Sequence, residues 1–480
     1  MSGEPPIVSV SGGAGGTEAR YDDILRLAGI FDASGDDLRS HAWDVKGLLA
    51  DGDLLASAIL SPLTFAEAEA AVFGATVGPS GLGVFALGIE ADALIMQTSV
   101  TAYRLADDAV HQAFEVIDYL GGYALGFALP GLVVLGGIGA LGLATNPLVL
   151  LYLHQNPDAL PGALEDVEGF VEDNPELIQH LINGGGGLTD GLIDALVPLP
   201  PAQQAALLDL LGIDPVHATT GDAAGELSQL FVDGEHQVAE GGSGEPRTLV
   251  TPGSVEDLMR NLRETNNGGD GEIDIQQIGE GDDARYIVNL PGTDDWVGDP
   301  SDVRDLGSNL RLVAGQDTVY SRGIMEAMER AGIPPGAPVM LTGHSQGGMT
   351  AAHLAADPAF QDQYDVRHVV TAGAPTAQVP HIPDGTQVLS LENSGDVVPL
   401  LDGEDNPDQP NRTTVRFDDT TGSVGGNHDL DRYISGGSAV DGSGHDSLTE
   451  TIAQLEADGF LVEEASTTET YTITRRPQDP

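Results

Sequence analysis

Val339-Met340-Leu341-Thr342-Gly343-His344-Ser345-Gln346-Gly347-Gly348 is the stretch on which the reading of the fold turns. An apolar run of strand character passes through Gly-x-Ser-x-Gly and straight into the helix-forming residues Met349 to Ala356. A strand that turns so sharply into a helix leaves no room for side chains beside the serine, and the two glycines stand where that room is missing. Ser345 is then pushed out past the end of a sheet, at a helix N-terminus whose free N–H groups can stabilise an oxyanion. The pattern marks Ser345 as a nucleophile.

A nucleophilic serine needs a base and a group that orients the base, and in a strand–turn–helix setting both follow the serine, acid first. Gln387 to Leu391 reads as a buried strand. The segment after it, Glu392-Asn393-Ser394-Gly395-Asp396-Val397-Val398-Pro399, puts Asp396 on a loop at the carboxyl edge, where such sheets carry their sites. Asp396 is the expected acid, orienting and charge-balancing the histidine. Two histidines compete for the base: His428, in Gly425-Gly426-Asn427-His428-Asp429, and His445, in Gly442-Ser443-Gly444-His445-Asp446. His428 is preferred, because a glycine-rich loop leading into a short helix suits a base reaching over the sheet. The other is expected to cap a helix or lie on the surface. The oxyanion hole requires the N–H of Gln346, after the nucleophile, and a second donor after an earlier strand. Tyr286 to Leu290 is that strand, and Pro291-Gly292-Thr293-Asp294-Asp295-Trp296 is the loop, with Thr293 as donor through its N–H and hydroxyl.

These residues together resemble the class 3 lipases, the fungal triglyceride-lipase-like branch of the α/β-hydrolases. The likeness rests on Pro-Gly-Thr-x-x-Trp at Pro291 to Trp296, on Gly-His-Ser-x-Gly-Gly, on Thr371-Ala372-Gly373-Ala374-Pro375 and on Asp396-Val397-Val398-Pro399. It covers roughly residues 245 to 460, less than half of the chain. It implies a Ser345, Asp396, His428 triad, an oxyanion hole of Thr293 and Gln346, and a lipid or phospholipid ester as substrate, with no cofactor or metal. The chain departs from the family in placing Pro291 where an arginine is usual, and in the short interval between Asp396 and its candidate histidine.

At 480 residues the chain has room for about two to three domains. Its 75 acidic residues against 19 basic ones, with Lys46 the only lysine, give a formal charge of −56. Such a charge excludes nucleic acid as a partner and any simple electrostatic attraction to anionic lipid. Without cysteine there is no disulfide and no thiol chemistry, which fits cytosol and export equally. The opening Met1-Ser2-Gly3-Glu4-Pro5-Pro6 lacks the basic and apolar stretches of a cleavable signal peptide, so export would need another route. A run at Asp402 to Asp408 is acidic but does not fit the EF-hand spacing, and reads as a solvated loop.

The N-terminal half has a different pattern. Ile89, Ala93, Met96, Val100, Tyr103, Val110, Phe114 and Ile117 recur at spacings of four and three, which predicts a long helix with one packing stripe. Residues 20–50, with Ile24, Leu27, Leu38, Val45 and Leu48, can supply an antiparallel partner, with Trp43 packed in the interface. This half resembles the helical N-terminal modules of proteins exported by actinobacterial type VII secretion, though without a clean Trp-x-Gly turn. That likeness implies a secretion-system or immunity partner. Residues 119–157 contain no Asp, Glu, Lys or Arg, and Tyr123 to Ala144 is long enough to span a bilayer. Its glycines, Pro130 and flanks without Lys or Arg count against a span, so contact with a membrane and a buried helical hairpin both stay open. The expected organisation is α + α/β: a helical domain over 1–118, a Gly-rich apolar segment over 119–157, a helical connector over 158–235, and a catalytic α/β-hydrolase domain with a mostly parallel sheet over 245–480. The expected activity is ester hydrolysis. The competing expectation is a helical interaction or membrane-inserting protein whose hydrolase-like domain is silent.

Overall fold

The computed structural model describes residues 4–48, 51, 53–55, 61–77, 81–136, 179, 182–196, 203–204, 207–208, 214, 216–243, 247, 249–294 and 300–476. The chain divides into two compact units, one made of residues 1–16 and 114–480, the other of residues 17–113.

Among the described residues the larger unit is built on a mixed sheet of nine strands: β1 (Ile7–Gly12), β2 (Glu235–Glu240), β3 (Glu272–Ile278), β4 (Arg285–Leu290), β5 (Pro338–His344), β6 (Asp365–Ala372), β7 (Gln387–Asn393), β8 (Arg412–Phe417) and β9 (Ser466–Arg476). They lie in the order β1-β8-β7-β6-β5-β4-β3-β9-β2. The five central strands, β4 to β8, run parallel, and the flanking pairs are antiparallel. Parallel strands need crossovers and helices on both faces, so their side chains are apolar in both directions. In β5, Val339 and Leu341 enter the core on one face and Met340 the core on the other. Helices Val319–Arg330 and Gln346–Ala356 cover the first face, and Val255–Asn266, Leu430–Asp441 and Asp446–Ala457 the second.

Parallel register gathers the carboxyl ends at one edge. Leu290 pairs with Gly343, His344 with Ala372, and Ala372 with Leu391. The loops that follow β4, β5 and β7 therefore leave the sheet on the same side, and these are the loops that carry Thr293, Ser345 and Asp396.

One sequence expectation is corrected in this unit. Residues 7–12 do not belong to a helical domain over 1–118: they form an edge strand antiparallel to β8. Residues 235–240 pair antiparallel with β9, with Val238 buried. Phe460 and Leu461 are buried in the turn before β9.

In the smaller unit, helix Thr17–Gly47 runs antiparallel to residues 82–104 of the helix Leu82–Gly136, as the Arg104–Glu18 and Arg39–Glu90 ion pairs fix. Residues seven apart are buried along each, Ala28, Gly35 and Ala42 on one helix and Ala86, Ala93 and Val100 on the other. Of the stripe expected from sequence, Ala93 and Val100 are buried, whereas Tyr103, Ile24, Leu27 and Leu48 are exposed. Trp43 is not packed in an interface but is 67% exposed, with the Lys46 ammonium 5.2 Å from its ring centroid. Side chains of Val110, Phe114 and Ile117 lie outside the described ones, and so do residues 137–157 of the Gly-rich apolar segment. Among the described residues, a different stretch, Leu63–Arg104, is long and apolar enough to cross a membrane by length and composition.

Candidate active site

The elbow is drawn tightly around Ser345. Its φ of 53° and ψ of −123° make it the one non-glycine residue at positive φ among the described residues. Its N–H donates to the Ala372 carbonyl at 2.9 Å, tying the turn to β6. A Cβ on Gly343 would lie 2.3 Å from the Gly347 backbone, and one on Gly347 would lie 2.0 Å from the Leu290 carbonyl oxygen. Both glycines are therefore required by close backbone approach. Ser345 is the N-cap of Gln346–Ala356, so the Gln346 N–H begins that helix without an intrahelical acceptor.

Asp396 and His428 come together: His428 Nδ1 and Asp396 Oδ2 are 2.7 Å apart. The carboxylate is nearly inaccessible, and each oxygen is spoken for. Oδ1 accepts the Val398 N–H at 2.9 Å, and Oδ2 also accepts the Tyr433 hydroxyl at 2.6 Å. Burial, reinforced by Asp396, pushes the Tyr433 phenol well above its ordinary range, so it keeps its proton and donates it to the carboxylate, while its oxygen accepts the Asn393 N–H at 3.4 Å. With Nδ1–H given to Asp396, the Nε2 lone pair of His428 is left to accept a proton.

Two side chains hold the histidine loop in place. Asn427, fully buried, donates to the Gly395 carbonyl at 2.8 Å and accepts from the Thr421 N–H at 2.6 Å, joining the histidine loop to the acid loop. His344, next to the serine, has its ring centroid 4.4 Å from that of His428, and its Nε2 is 3.0 Å from the His428 carbonyl. Burial, and then the neighbouring His428, holds the His344 ring neutral. Because a carbonyl only accepts, Nε2 carries the His344 proton. This pairing sets His428 beside the elbow.

The first loop meets the same point. A Cβ on Gly292 would lie 3.1 Å from Ser345 Cβ and 3.1 Å from His344 Nδ1, so the loop backbone lies against the serine. Thr293 Oγ1 accepts from Asn309 Nδ2 at 3.0 Å, which leaves its proton available to a substrate oxygen. Thr293 does not cap the next helix; Asp305 does, accepting from the Ser308 N–H at 2.8 Å. Gln346 Nε2 donates to the Asp305 carbonyl at 2.8 Å and secures that helix to the elbow. Residues 295–299, with Trp296, lie outside the described residues.

The structure thus brings Ser345, Asp396, His428, Thr293 and Gln346 to one edge of the sheet. His445 stands elsewhere, as N-cap of Asp446–Ala457, its Nδ1 accepting from the Ser447 N–H at 3.3 Å. Asp402, in the acidic run, is buried and accepts the Ala377 N–H at 2.7 Å. Sequence reasoning missed His344, Asn427 and Tyr433. The first two stand inside motifs it quoted, and only their buried polar character could have singled them out. Compared with protein families, with curated proteins and with solved structures, the chain has no match.

Proposed function

We propose that this chain is a serine hydrolase of carboxylic esters with an α/β-hydrolase catalytic domain, similar to class 3 lipases. The observation that carries the reading is the Asp396–His428 pair at 2.7 Å, set by His344 beside a serine at positive φ. In the proposed cycle His428 Nε2 takes the Ser345 Oγ proton as Oγ bonds to the ester carbonyl carbon. The carbonyl becomes an oxyanion held by the Thr293 and Gln346 N–H groups. His428 then gives its proton to the departing alcohol oxygen, leaving an acyl-serine. A water, deprotonated by the same nitrogen, attacks the acyl carbon and releases the acid. Asp396 stays a carboxylate throughout and balances the imidazolium.

A lipid or phospholipid ester is the proposed substrate class, with no cofactor. The second reading, a helical interaction or membrane-inserting protein with a silent domain, is favoured by the exposed apolar side chains Leu63, Phe85, Leu87, Leu94 and Ile95. Hydrolysis of short- and long-chain p-nitrophenyl esters and of a phospholipid decides between them. The hydrolase reading expects turnover that Ser345→Ala and His428→Ala abolish and His445→Ala leaves intact. No turnover by folded wild type would transfer the case to the second reading.

A further inference from the structure

Arg304 is the most deeply buried cation in the larger unit, 1% exposed, and the proposed cycle gives it no task. It stands just before the Leu306–Val313 helix, where its own N–H donates to Asp302 Oδ1 at 2.9 Å. From there its guanidinium reaches the loop after β4. Nη1 donates to the Gly292 carbonyl at 2.9 Å, and Nη2 lies 2.5 Å from Asp294 Oδ2 and 3.3 Å from the Gly269 carbonyl. The Arg304 carbonyl in turn accepts the Asp294 N–H at 3.0 Å. Residues 292 and 294 are thus both bound to Arg304, one through its carbonyl and one through its N–H, with Thr293 between them.

A trans peptide unit is planar, and its C=O and N–H point to opposite sides. Holding the Gly292 carbonyl toward Arg304 therefore turns the Thr293 N–H the other way. Gly292 lies against Ser345, so that N–H is presented on the serine side of the loop. We propose that Arg304 is a positioning residue of the oxyanion hole, locking the Gly292–Thr293 peptide so that the Thr293 N–H faces the oxyanion formed at Ser345. This inference rests on the hydrolase reading for its catalytic consequence, but not for the peptide orientation itself. A buried guanidinium suits the task because its planar fork serves several acceptors at once, where an ammonium serves as a point charge. Without it, the peptide is free to rotate its carbonyl toward the oxyanion, replacing an attractive dipole by a repulsive one.

The test compares wild type, Arg304→Met and Arg304→Lys on p-nitrophenyl esters, together with crystal structures of the three proteins. Loss of one oxyanion donor lowers kcat by about 10²- to 10³-fold. That is the expected fall for Arg304→Met, with KM within about threefold. Arg304→Lys, able to reach only part of the acceptor set, is expected to recover most of the loss and to show the peptide in its wild-type orientation. If Arg304→Met does not fold, Arg304→Lys decides alone, with a fall of about tenfold in kcat at unchanged KM expected. A folded Arg304→Met with kcat within twofold of wild type, or with the 292–293 peptide unrotated, overturns the inference; so does a folded Arg304→Lys with undiminished kcat where it stands alone. An inactive wild type with a rotated peptide in Arg304→Met would instead overturn the hydrolase reading and leave the positioning role standing.

Discussion

Ser345 is held where an L-residue is uncomfortable, and its surroundings compel it to stay. Backbone strain of this kind costs about 1–3 kcal/mol and persists only when neighbouring structure over-determines it. Gly343, Gly347 and the Ala372 carbonyl supply that constraint. Replacing the serine by glycine removes the strain, while alanine keeps it. Ser345→Gly is therefore expected to unfold at a free energy about 1 kcal/mol higher than Ser345→Ala, with neither variant active; equal urea midpoints for the two would refute the strain. Tyr433 supplies a second expectation, because its hydroxyl is one of two protons held by Asp396 Oδ2. Tyr433→Phe should cost about 1–2 kcal/mol of stability and lower kcat about tenfold at constant KM, measured by chemical denaturation and initial rates. An unchanged kcat would make Tyr433 a packing residue only. Ser345, Asp396 and His428 could be read from sequence because each is framed by glycines at fixed offsets. Tyr433 and Arg304 could not, since each acts across a contact with a segment 37 or 12 residues away.

Among elements, the helical pair shows where periodicity stops being informative. Spacings of three and four located a stripe through Ala93 and Val100, yet the large residues nearby turned outward. Burial fell to the small residues Ala28, Gly35 and Ala42 on the first helix and Ala93 on the second, and not to Ile24 or Leu27. Ala93→Leu inserts bulk at a buried position and is expected to destabilise the pair by about 1–3 kcal/mol. Hydrogen exchange should then show faster amide exchange over 17–47 and 82–104, with protection of β3 to β8 unaltered; unchanged exchange in the helices would refute the burial of Ala93. Edge strands were illegible for another reason. β1 and β2 are six residues each and bury one residue apiece, so their partners, β8 and β9, define them.

For the molecule as a whole, a charge of −56 makes acid titration a property of many groups, of which the buried ones discriminate folded from unfolded chain. Burial pushes Asp402 up to about 7, against the N–H groups of Ala377 and Gln378. A carboxyl raised in the folded state contributes stability that is complete below its unfolded value and lost as pH rises through about 7. Burial acts on Glu272 in the same upward sense, but hydrogen bonds from Ser243 and Arg247 outweigh it and bring it down to about 2. Its contribution is complete above the ordinary glutamate range and lost toward pH 2. The Tm of wild type relative to Asp402→Asn should therefore be highest near pH 4 and decline toward pH 8; a pH-independent difference by thermal melting would refute the buried acid. The sheet has a further consequence. β1 is separated in sequence from β8, its one strand neighbour among the described residues, by about 400 residues, and at a ribosomal pace of roughly 5–20 residues per second it waits some 20–80 s for that neighbour. Until β8 is synthesised β1 is an unpaired edge, open to a chaperone or to another nascent chain.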